Sequence, residues 1–160
     1  MSDQRTGNAA PAPIRQATMV RSDLEHTFGV FVREIGKWWP TQTHSLGGER
    51  VIDVVFEERA GGRVYEVWDD GTERNWCHVL VWEPPHRFRV TWEILPEVTE
   101  VEVRFQALGP NLTRVALTHD GWERLSQEQL AAATSAEGGY NAGWALILGR
   151  LQQFAGVAHR

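Results

Sequence analysis

The chain has 160 residues and a formal net charge of −5, which suits one domain with a sizeable core. The negative charge argues against the basic face that binds phosphates, so we expect no nucleic-acid partner. The one cysteine, Cys77, excludes an intrachain disulfide and a cysteine-based metal cluster. Residues 1–13 lack the apolar segment of a signal peptide, and no run reaches the roughly 18 to 20 apolar residues of a membrane span. We therefore expect a cytoplasmic protein without a membrane partner.

Tryptophan is the unusual component of this composition, with eight residues in the chain. The indole ring offers a large flat apolar surface and one N–H donor that needs a partner when it is buried. Such an abundance favours a core or a pocket with wide, flat walls.

Residues 1–13 are small, polar and proline-containing, which is typical of a disordered tail. A single domain is predicted over residues 14–157, beginning with a strand at Ile14–Val20. Ser22 and Glu25 have the spacing of a capping box and predict that a helix begins there. An apolar stripe at spacings of four, three and four makes this helix amphipathic. The stripe consists of Leu24, Phe28, Phe31 and Ile35.

The middle of the chain, residues 51–120, alternates apolar and polar residues in short runs. This pattern is typical of an antiparallel sheet with one packed and one solvated face. Turn residues such as Asp70-Gly71 separate the runs. One pairing of the runs places Arg89 opposite Glu102 on the solvated face. The predicted strands are Val51–Glu57, Arg63–Trp68, Arg74–Trp82, Arg87–Glu93, Val98–Ala107 and a last strand on which Thr113, Val115, Leu117 and His119 share one face.

The C-terminal part predicts two helices. Ser126 and Gln129 form a second capping-box pattern before a short Ala-rich helix, which Gly138-Gly139 breaks. The final helix, about 17 residues and roughly 25 Å long, can cover the apolar face of a curved sheet. Large residues on both sides, with Gly143 opening the helix surface, predict a cavity between helix and sheet. The apolar face of the helix consists of Tyr140, Trp144, Ile147, Leu151 and Phe154.

A set of short segments occurs in a specific order along the chain: Gly61-Gly62-Arg63-Val64-Tyr65-Glu66, Asp70-Gly71, Trp82-Glu83-Pro84-Pro85-His86-Arg87-Phe88, Thr91-Trp92, Thr113-Arg114-Val115, Leu117-Thr118-His119 and Gly143-Trp144. With these segments the chain resembles, over residues 14–157, the activator-of-heat-shock-ATPase-homologue-like (AHSA-like) family of the START/polyketide-cyclase (SRPBCC) superfamily. The resemblance implies an α+β helix-grip fold. In that fold a curved antiparallel sheet of six to seven strands wraps around a long C-terminal helix and encloses a deep cavity.

Members of the wider superfamily bind lipids, sterols, hormones or polyketides, and some catalyse cyclisation or dehydration. The resemblance therefore implies a small apolar ligand, and we expect no cofactor. The sequence departs from the family at Cys77-His78, where Gly-Arg is expected after the tryptophan. This substitution can alter one wall of the cavity.

The candidate ligand-binding residues are mostly aromatic. Two of them end the first helical segment, where they either border the cavity mouth or fill the core and the surface beside it. The others lie on the final helix and its facing strand, where their rings can contact a ligand and their polar tips can orient it. The set is Trp38, Trp39, Trp92, Tyr140, Trp144 and Ile147.

Glu66 and His119 are the candidate acid–base residues. If its strand face is inward, Glu66 is a buried carboxylate that needs a partner; if outward, it is a surface charge. His119 lies on the apolar face of its strand, where it either reaches the cavity or is a satisfied core histidine. His44, His78 and His119 lie on separate elements without ligand spacing, so we expect no metal site. The adjacent pairs His44-Ser45 and Cys77-His78 point to opposite faces if extended, which disfavours a paired nucleophile.

Three functions stay open at this point. The first is a module that binds a small apolar or aromatic molecule without turnover. The second is a cyclase- or dehydratase-type enzyme that uses Glu66 and His119 as general acid and base. The third is a chaperone-linked or protein-partner role, with a homodimer as one form of it, which predicts an exposed apolar patch.

Overall fold

The computed structural model describes residues 11–135 and 139–158. Within them, seven strands form one antiparallel sheet in the order β1-β7-β6-β5-β4-β3-β2. The predicted strands are thereby confirmed, with small shifts at their ends. The strands are β1 (Ile14–Val20), β2 (Val51–Phe56), β3 (Arg63–Trp68), β4 (Glu73–Glu83), β5 (Arg87–Trp92), β6 (Thr99–Gly109) and β7 (Leu112–Asp120).

The helices lie in the connection from β1 to β2 and after β7. They are α1 (Leu24–Arg33), α2 (Ile35–Trp38), α3 (Gln127–Ser135) and α4 (Gly139–Ala158), and two short 3-10 turns span Gly48–Arg50 and Trp122–Arg124. Helix α4 packs along β1 and against α3. The curled sheet and this C-terminal helix confirm the α+β helix-grip fold. Residues 1–10 of the predicted tail and Gly138 of the predicted helix break lie outside the described residues.

The first helix begins differently from the prediction. Its N-cap is Asp23, whose carboxylate accepts a hydrogen bond of 2.7 Å from the backbone N–H of His26. Ser22 instead uses its carbonyl, which accepts from the hydroxyl of Thr113. The predicted capping box of Ser22 and Glu25 is therefore wrong, because Ser22 belongs to the turn that ties β1 to β7. The second predicted box is confirmed: Ser126 and Gln129 exchange reciprocal hydrogen bonds of 3.0 and 2.9 Å.

Helix α2 packs directly on β2 through Gly36. A side-chain carbon at this glycine would lie 2.4 Å from a carboxylate oxygen of Asp53 and 2.9 Å from the backbone nitrogen of Val54. Only glycine permits such a close approach of helix to strand. The predicted single helix is divided at Glu34 into α1 and α2, and α2 carries Trp38 at its end towards the core.

Strand β4 contains two bulges, which the sequence pattern did not reveal. The register with β3 shifts between Val64 and Tyr65, and the register with β5 shifts between Val79 and Val81. An extra residue in one strand turns the following side chains to the other face. As a result Trp76 and Cys77 are both buried, although they are neighbours in the chain.

The convex face of the sheet carries a charged network. Arg89 lies opposite Glu102, which confirms the predicted pairing, and its guanidinium also bonds Glu100 and Asp120 at distances of 2.7 and 2.8 Å. This face is solvated, so each pair contributes a fraction of a kcal/mol. The aromatic and aliphatic side chains consequently concentrate on the concave face, where the core and the cavity lie.

The N-cap can be tested with two neighbouring alanine variants. Asp23→Ala removes the hydrogen bond to His26 and should lower the free energy of unfolding by about 1 kcal/mol. Ser22→Ala is the matched control and should change it little, because Ser22 contributes backbone contacts. Urea denaturation measures both variants, and a larger loss for Ser22→Ala would contradict the assignment.

Candidate functional site

A cavity of about 310 Å³ opens between α4, α3, the end of β5 and the loop after α2. Three indole rings and two isoleucines form its apolar walls, and a threonine, a histidine, a serine and a tyrosine contribute polar atoms. The lining residues are Trp39, Thr43, His44, Ser45, Trp92, Ile94, Ala132, Ala133, Gly139, Tyr140, Gly143, Trp144 and Ile147.

Five of the six candidate ligand-binding residues lie on this cavity: Trp39, Trp92, Tyr140, Trp144 and Ile147. Trp38 lies elsewhere. Its side chain is 1% exposed, its indole N–H donates to the carbonyl of Val30 at 3.0 Å, and its ring packs edge-on against Phe31. Because adjacent residues at the end of a helix point in different directions, Trp38 fills the core while Trp39 reaches the cavity.

The indole N–H groups on the cavity wall all bond to the protein itself. Trp39 donates to the carbonyl of His44 at 2.8 Å, and Trp92 donates to the phenolic oxygen of Tyr140 at 3.2 Å. Trp144 donates to Nδ1 of His119 at 3.0 Å. A ligand therefore meets ring faces rather than the polar tips that the sequence suggested for its orientation. These bonds also fix the direction of each ring.

Glu66 faces inward and is fully buried. Its Oε1 accepts from the backbone N–H of Leu46 at 2.8 Å and from the indole of Trp76 at 2.6 Å. Its Oε2 accepts from the backbone N–H of Gly47 and from the indole of Trp68, both at 2.6 Å. The four donors are neutral N–H groups, and they satisfy the four lone pairs that a carboxylate presents.

Two arginines lie over the ring of Trp68, whose indole N–H binds the buried carboxylate. The guanidinium of Arg50 lies 4.2 Å from the centre of the Trp68 ring, and that of Arg74 lies 5.6 Å from it. The negative charge of Glu66 polarises the indole N–H, and the ring face receives the cations on its electron-rich side. Glu66 thus anchors the loop 41–47 to β3 and β4, and its lone pairs are occupied.

His119 is also buried and fully hydrogen-bonded. Its Nδ1 accepts from Trp144, so its Nε2 carries the proton and donates to the hydroxyl of Thr99 at 2.8 Å. Burial lowers the pKa of His119 to about 3. Its ring packs 4.3 Å from the ring of Trp122, centre to centre, and edge-on against Tyr140. His119 is a neutral core histidine that orients Trp144 in the cavity wall.

Thr43 and His44, which the sequence analysis did not assign to the cavity, line it. The imidazole of His44 comes within 3.7 Å of where a side chain on Gly143 would begin, and its Nδ1 lies 2.7 Å from the hydroxyl of Thr43. No spacing in the sequence connects His44 with α4, since the loop follows a path set by Glu66. The one available signal was Gly143, which lies on the apolar face of α4 and leaves a gap there.

A small apolar void of about 30 Å³ lies deeper in the core and shares Trp39, Trp92 and Trp144 with the larger cavity. Cys77 lines this void, and burial raises the pKa of its thiol well above the usual value. His78 lies on the opposite, convex face, where its Nδ1 lies 2.6 Å from a carboxylate oxygen of Glu93. Only the cysteine of the Cys77-His78 pair therefore alters the interior.

The described residues contain no group of three or more histidine, cysteine, aspartate or glutamate side chains placed to hold a metal ion. In the same part of the chain, no helix is both long and apolar enough to cross a membrane.

The role of Glu66 can be tested by removing one acceptor oxygen. In Glu66→Gln the amide nitrogen is a donor that faces donors, so the free energy of unfolding should fall by about 3 kcal/mol. Glu73→Gln is the control, because Glu73 forms only an exposed pair with Arg63. Urea denaturation measures stability, and amide exchange at Leu46 and Gly47 should accelerate. An unchanged exchange rate at these two amides would contradict the anchoring role.

His119 should make the stability depend on pH. The folded pKa of about 3 lies below the ordinary value of 6.5, so between these values the unfolded chain binds the extra proton. The contribution of neutral His119 to the free energy of unfolding is present in full above pH 6.5, and it falls by about 1.4 kcal/mol per pH unit below that value. Urea denaturation of the wild type and His119→Gln should show their difference in stability shrinking as the pH falls. A difference that is constant from pH 8 to pH 4.5 would contradict it.

Comparisons with known proteins agree with this geometry. The family model for "Activator of Hsp90 ATPase homolog 1-like protein" matches residues 25–156. The anthrahydroquino-gamma-pyrone synthase Txn09 is 32% identical, with 90% of this chain and 97% of that chain covered and a TM-score of 0.59. The self-sacrificing resistance protein CalC from Micromonospora echinospora is 25% identical, with 90% and 94% covered and a TM-score of 0.65.

The Aha1 dimer from Colwellia psychrerythraea is 15% identical, with 94% of this chain and 100% of that chain covered. Its TM-score of 0.64 shows that the two chains share the fold. The search of curated proteins gave no match. The match of the family model over most of the described residues decides the assignment. The chain belongs to the Activator of Hsp90 ATPase homolog 1-like family.

Proposed function

We propose that this protein binds a flat, fused-ring aromatic molecule in the cavity beneath α4. The proposal rests on the hydrogen bonds that the three indoles of the cavity wall make within the protein. Trp39, Trp92 and Trp144 use their N–H groups within the protein, so a cavity of about 310 Å³ offers mainly ring faces and apolar edges. Flat rings stack on such surfaces or meet them edge-on.

The size and rigidity of the cavity favour a compact ligand. Its volume lies at the lower end of the range of small-molecule sites, which is roughly 300 to 1,000 Å³. The wall rings also hold one another: Trp92 lies edge-on to Trp144 at 5.1 Å between ring centres, and Trp39 lies edge-on to Trp144 at 5.9 Å. A preformed wall reduces the entropy lost on binding, and it favours a rigid ligand over a flexible chain.

Tyr140 offers the ligand a directional contact. The phenolic oxygen of Tyr140 accepts from Trp92, which leaves the hydroxyl hydrogen to donate to a carbonyl or phenolic oxygen of the ligand. The name of one relative supports this ligand class. Txn09, which is 32% identical, is a synthase named for an anthrahydroquino-gamma-pyrone, a fused-ring compound.

The other two hypotheses receive less support. Glu66 and His119 have their lone pairs and N–H groups engaged inside the protein, which disfavours an enzyme that uses this pair. The exposed large apolar side chains are spread over different strands, helices and loops, which is the usual condition of a protein surface. They are Met19, Leu46, Ile52, Leu80, Val98, Leu108 and Leu146.

Two glycines of α4 provide a matched test. Gly143→Leu places a side chain in the cavity, whereas Gly149→Leu places the same side chain where nothing lies within 4 Å. Both replacements improve helix propensity, so both variants should stay folded. With 1-hydroxyanthraquinone as the probe, Gly143→Leu should weaken binding at least tenfold (about 1.4 kcal/mol), and Gly149→Leu should leave it unchanged.

Binding is measured by quenching of tryptophan fluorescence, and thermal melting verifies the fold of each variant. Palmitate serves as a flexible apolar comparison and should bind more weakly than the anthraquinone. Equal binding by the two leucine variants, or a preference for palmitate, would overturn the proposal.

A further inference from the structure

Among the described residues that line the cavity, His44 alone has a side chain with a basic nitrogen, and its backbone is fixed by hydrogen bonds. The backbone N–H of His44 donates to the carbonyl of Pro40 at 2.9 Å, and the backbone carbonyl of His44 accepts from the indole of Trp39 at 2.8 Å. The loop that carries it is further anchored by Glu66, through the backbone N–H groups of Leu46 and Gly47. The imidazole is therefore held in position by contacts on both sides of it in the chain.

The orientation of the imidazole is set by Thr43 and Gly143. Nδ1 lies 2.7 Å from the hydroxyl of Thr43, and the opposite edge, formed by Cδ2 and Nε2, faces Gly143 of α4. When the hydroxyl of Thr43 donates to Nδ1, Nε2 carries the proton and is a donor on the side of Gly143. When Nδ1 carries the proton instead, Nε2 is a free base at the cavity wall.

Tyr140 complements this base. Burial raises the pKa of its phenol, against the opposing effect of the Trp92 hydrogen bond, so Tyr140 stays a neutral donor. Its ring lies edge-on to His119 and Trp122, with centres 5.5 and 5.6 Å apart. The hydroxyl is thus held in a fixed direction and retains one hydrogen to donate.

The two groups border the same part of the cavity. Tyr140 and Gly143 are three residues apart in α4, so they lie on one face of the helix, about 5 to 6 Å apart at their first side-chain positions. The imidazole of His44 lies over Gly143, and His44 and Tyr140 both line the cavity, so one ligand there can reach both. His44 and Tyr140 can therefore act on a ligand as base and acid, whereas Glu66 and His119 have all their polar atoms bonded within the core.

We propose that His44 and Tyr140 form an acid–base pair that enolises a fused-ring aromatic ketone bound against the tryptophan walls. Nε2 of His44 takes a proton from the carbon next to the carbonyl, so that a C–H bond breaks and an N–H bond forms. The electron pair moves to the carbonyl oxygen, which takes the proton of the Tyr140 hydroxyl and becomes the enol. Return of the proton from the imidazole through water to the phenolate restores both residues, and no oxidant or cofactor takes part.

This inference rests on the proposed function, since the ketone must first bind between the indole rings. It adds a reaction class, the transfer of a proton between carbon and oxygen. Tautomerisation of this kind precedes the closure or aromatisation of a ring in a polycyclic ketone. The binding function and the enolising function would use the same cavity, and the second additionally requires the proton transfers by His44 and Tyr140.

The test is deuterium exchange into 1-tetralone, a two-ring ketone with acidic hydrogens beside its carbonyl. Proton NMR in D₂O follows the loss of these hydrogens, and ligand-observed saturation transfer in the same sample measures binding. The wild type should accelerate exchange at least tenfold over an equal concentration of free imidazole. His44→Gln and Tyr140→Phe should each abolish most of this acceleration while 1-tetralone still binds.

Matched controls come from the same chain. His86→Gln and Tyr65→Phe change the same residue types outside the cavity and should exchange like the wild type. Thr43→Val should slow exchange by removing the hydroxyl that orients the imidazole, and Thr43→Ser should restore it, which a purely structural role would not require.

The outcomes separate the two proposals. Binding without accelerated exchange, or acceleration that survives His44→Gln, would overturn the acid–base pair and leave the binding function in place. Failure of both 1-tetralone and 1-hydroxyanthraquinone to bind would overturn both. Binding with exchange that depends on His44 and Tyr140 supports both.

Discussion

The buried carboxylate of Glu66 is the interaction on which the cavity depends. It accepts four hydrogen bonds, two from the backbone of the loop after α2 and two from the indoles of Trp68 and Trp76. A buried charge is costly unless hydrogen bonds replace its hydration, and here N–H groups from three separate segments do so. The loop therefore closes over the sheet in one arrangement, and that arrangement places His44 and Trp39 on the cavity wall.

His119 has the corresponding role on the other side of the cavity, without a charge. Its two ring nitrogens join Thr99 on β6 to Trp144 on α4, so the final helix is oriented relative to the sheet. Glu66 accepts the indole N–H groups of Trp68 and Trp76, and His119 accepts that of Trp144. The indoles of Trp39 and Trp92 donate to the carbonyl of His44 and to Tyr140. With these N–H groups bonded, the tryptophans at the cavity present apolar ring surface, which is the physical reason that we propose a flat apolar ligand rather than a polar one.

Much of the fold follows from local rules in the sequence. Alternation of period two predicted the strands, and the register of Arg89 with Glu102 was confirmed. The candidate site was harder to predict from the sequence. Alternation places Glu66 beside Val64 and Trp68 but leaves the inward face undecided, and the bulge that turns Trp76 inward has no signature in the sequence. The path of the loop to Gly143 depends on tertiary hydrogen bonds, so His44 could not be assigned to the cavity in advance.

The most direct measurement of the central claim is the set of intermolecular nuclear Overhauser effects in the complex with 1-hydroxyanthraquinone. Binding against the indole walls predicts contacts from the ligand ring protons to the ring protons of Trp39, Trp92 and Trp144, with the indole N–H signals of these residues retaining their slow exchange. Contacts to Trp38 or to the convex face of the sheet would contradict it. Rapid exchange of the three indole N–H groups on binding would do so as well, because the ligand would then bind their polar tips.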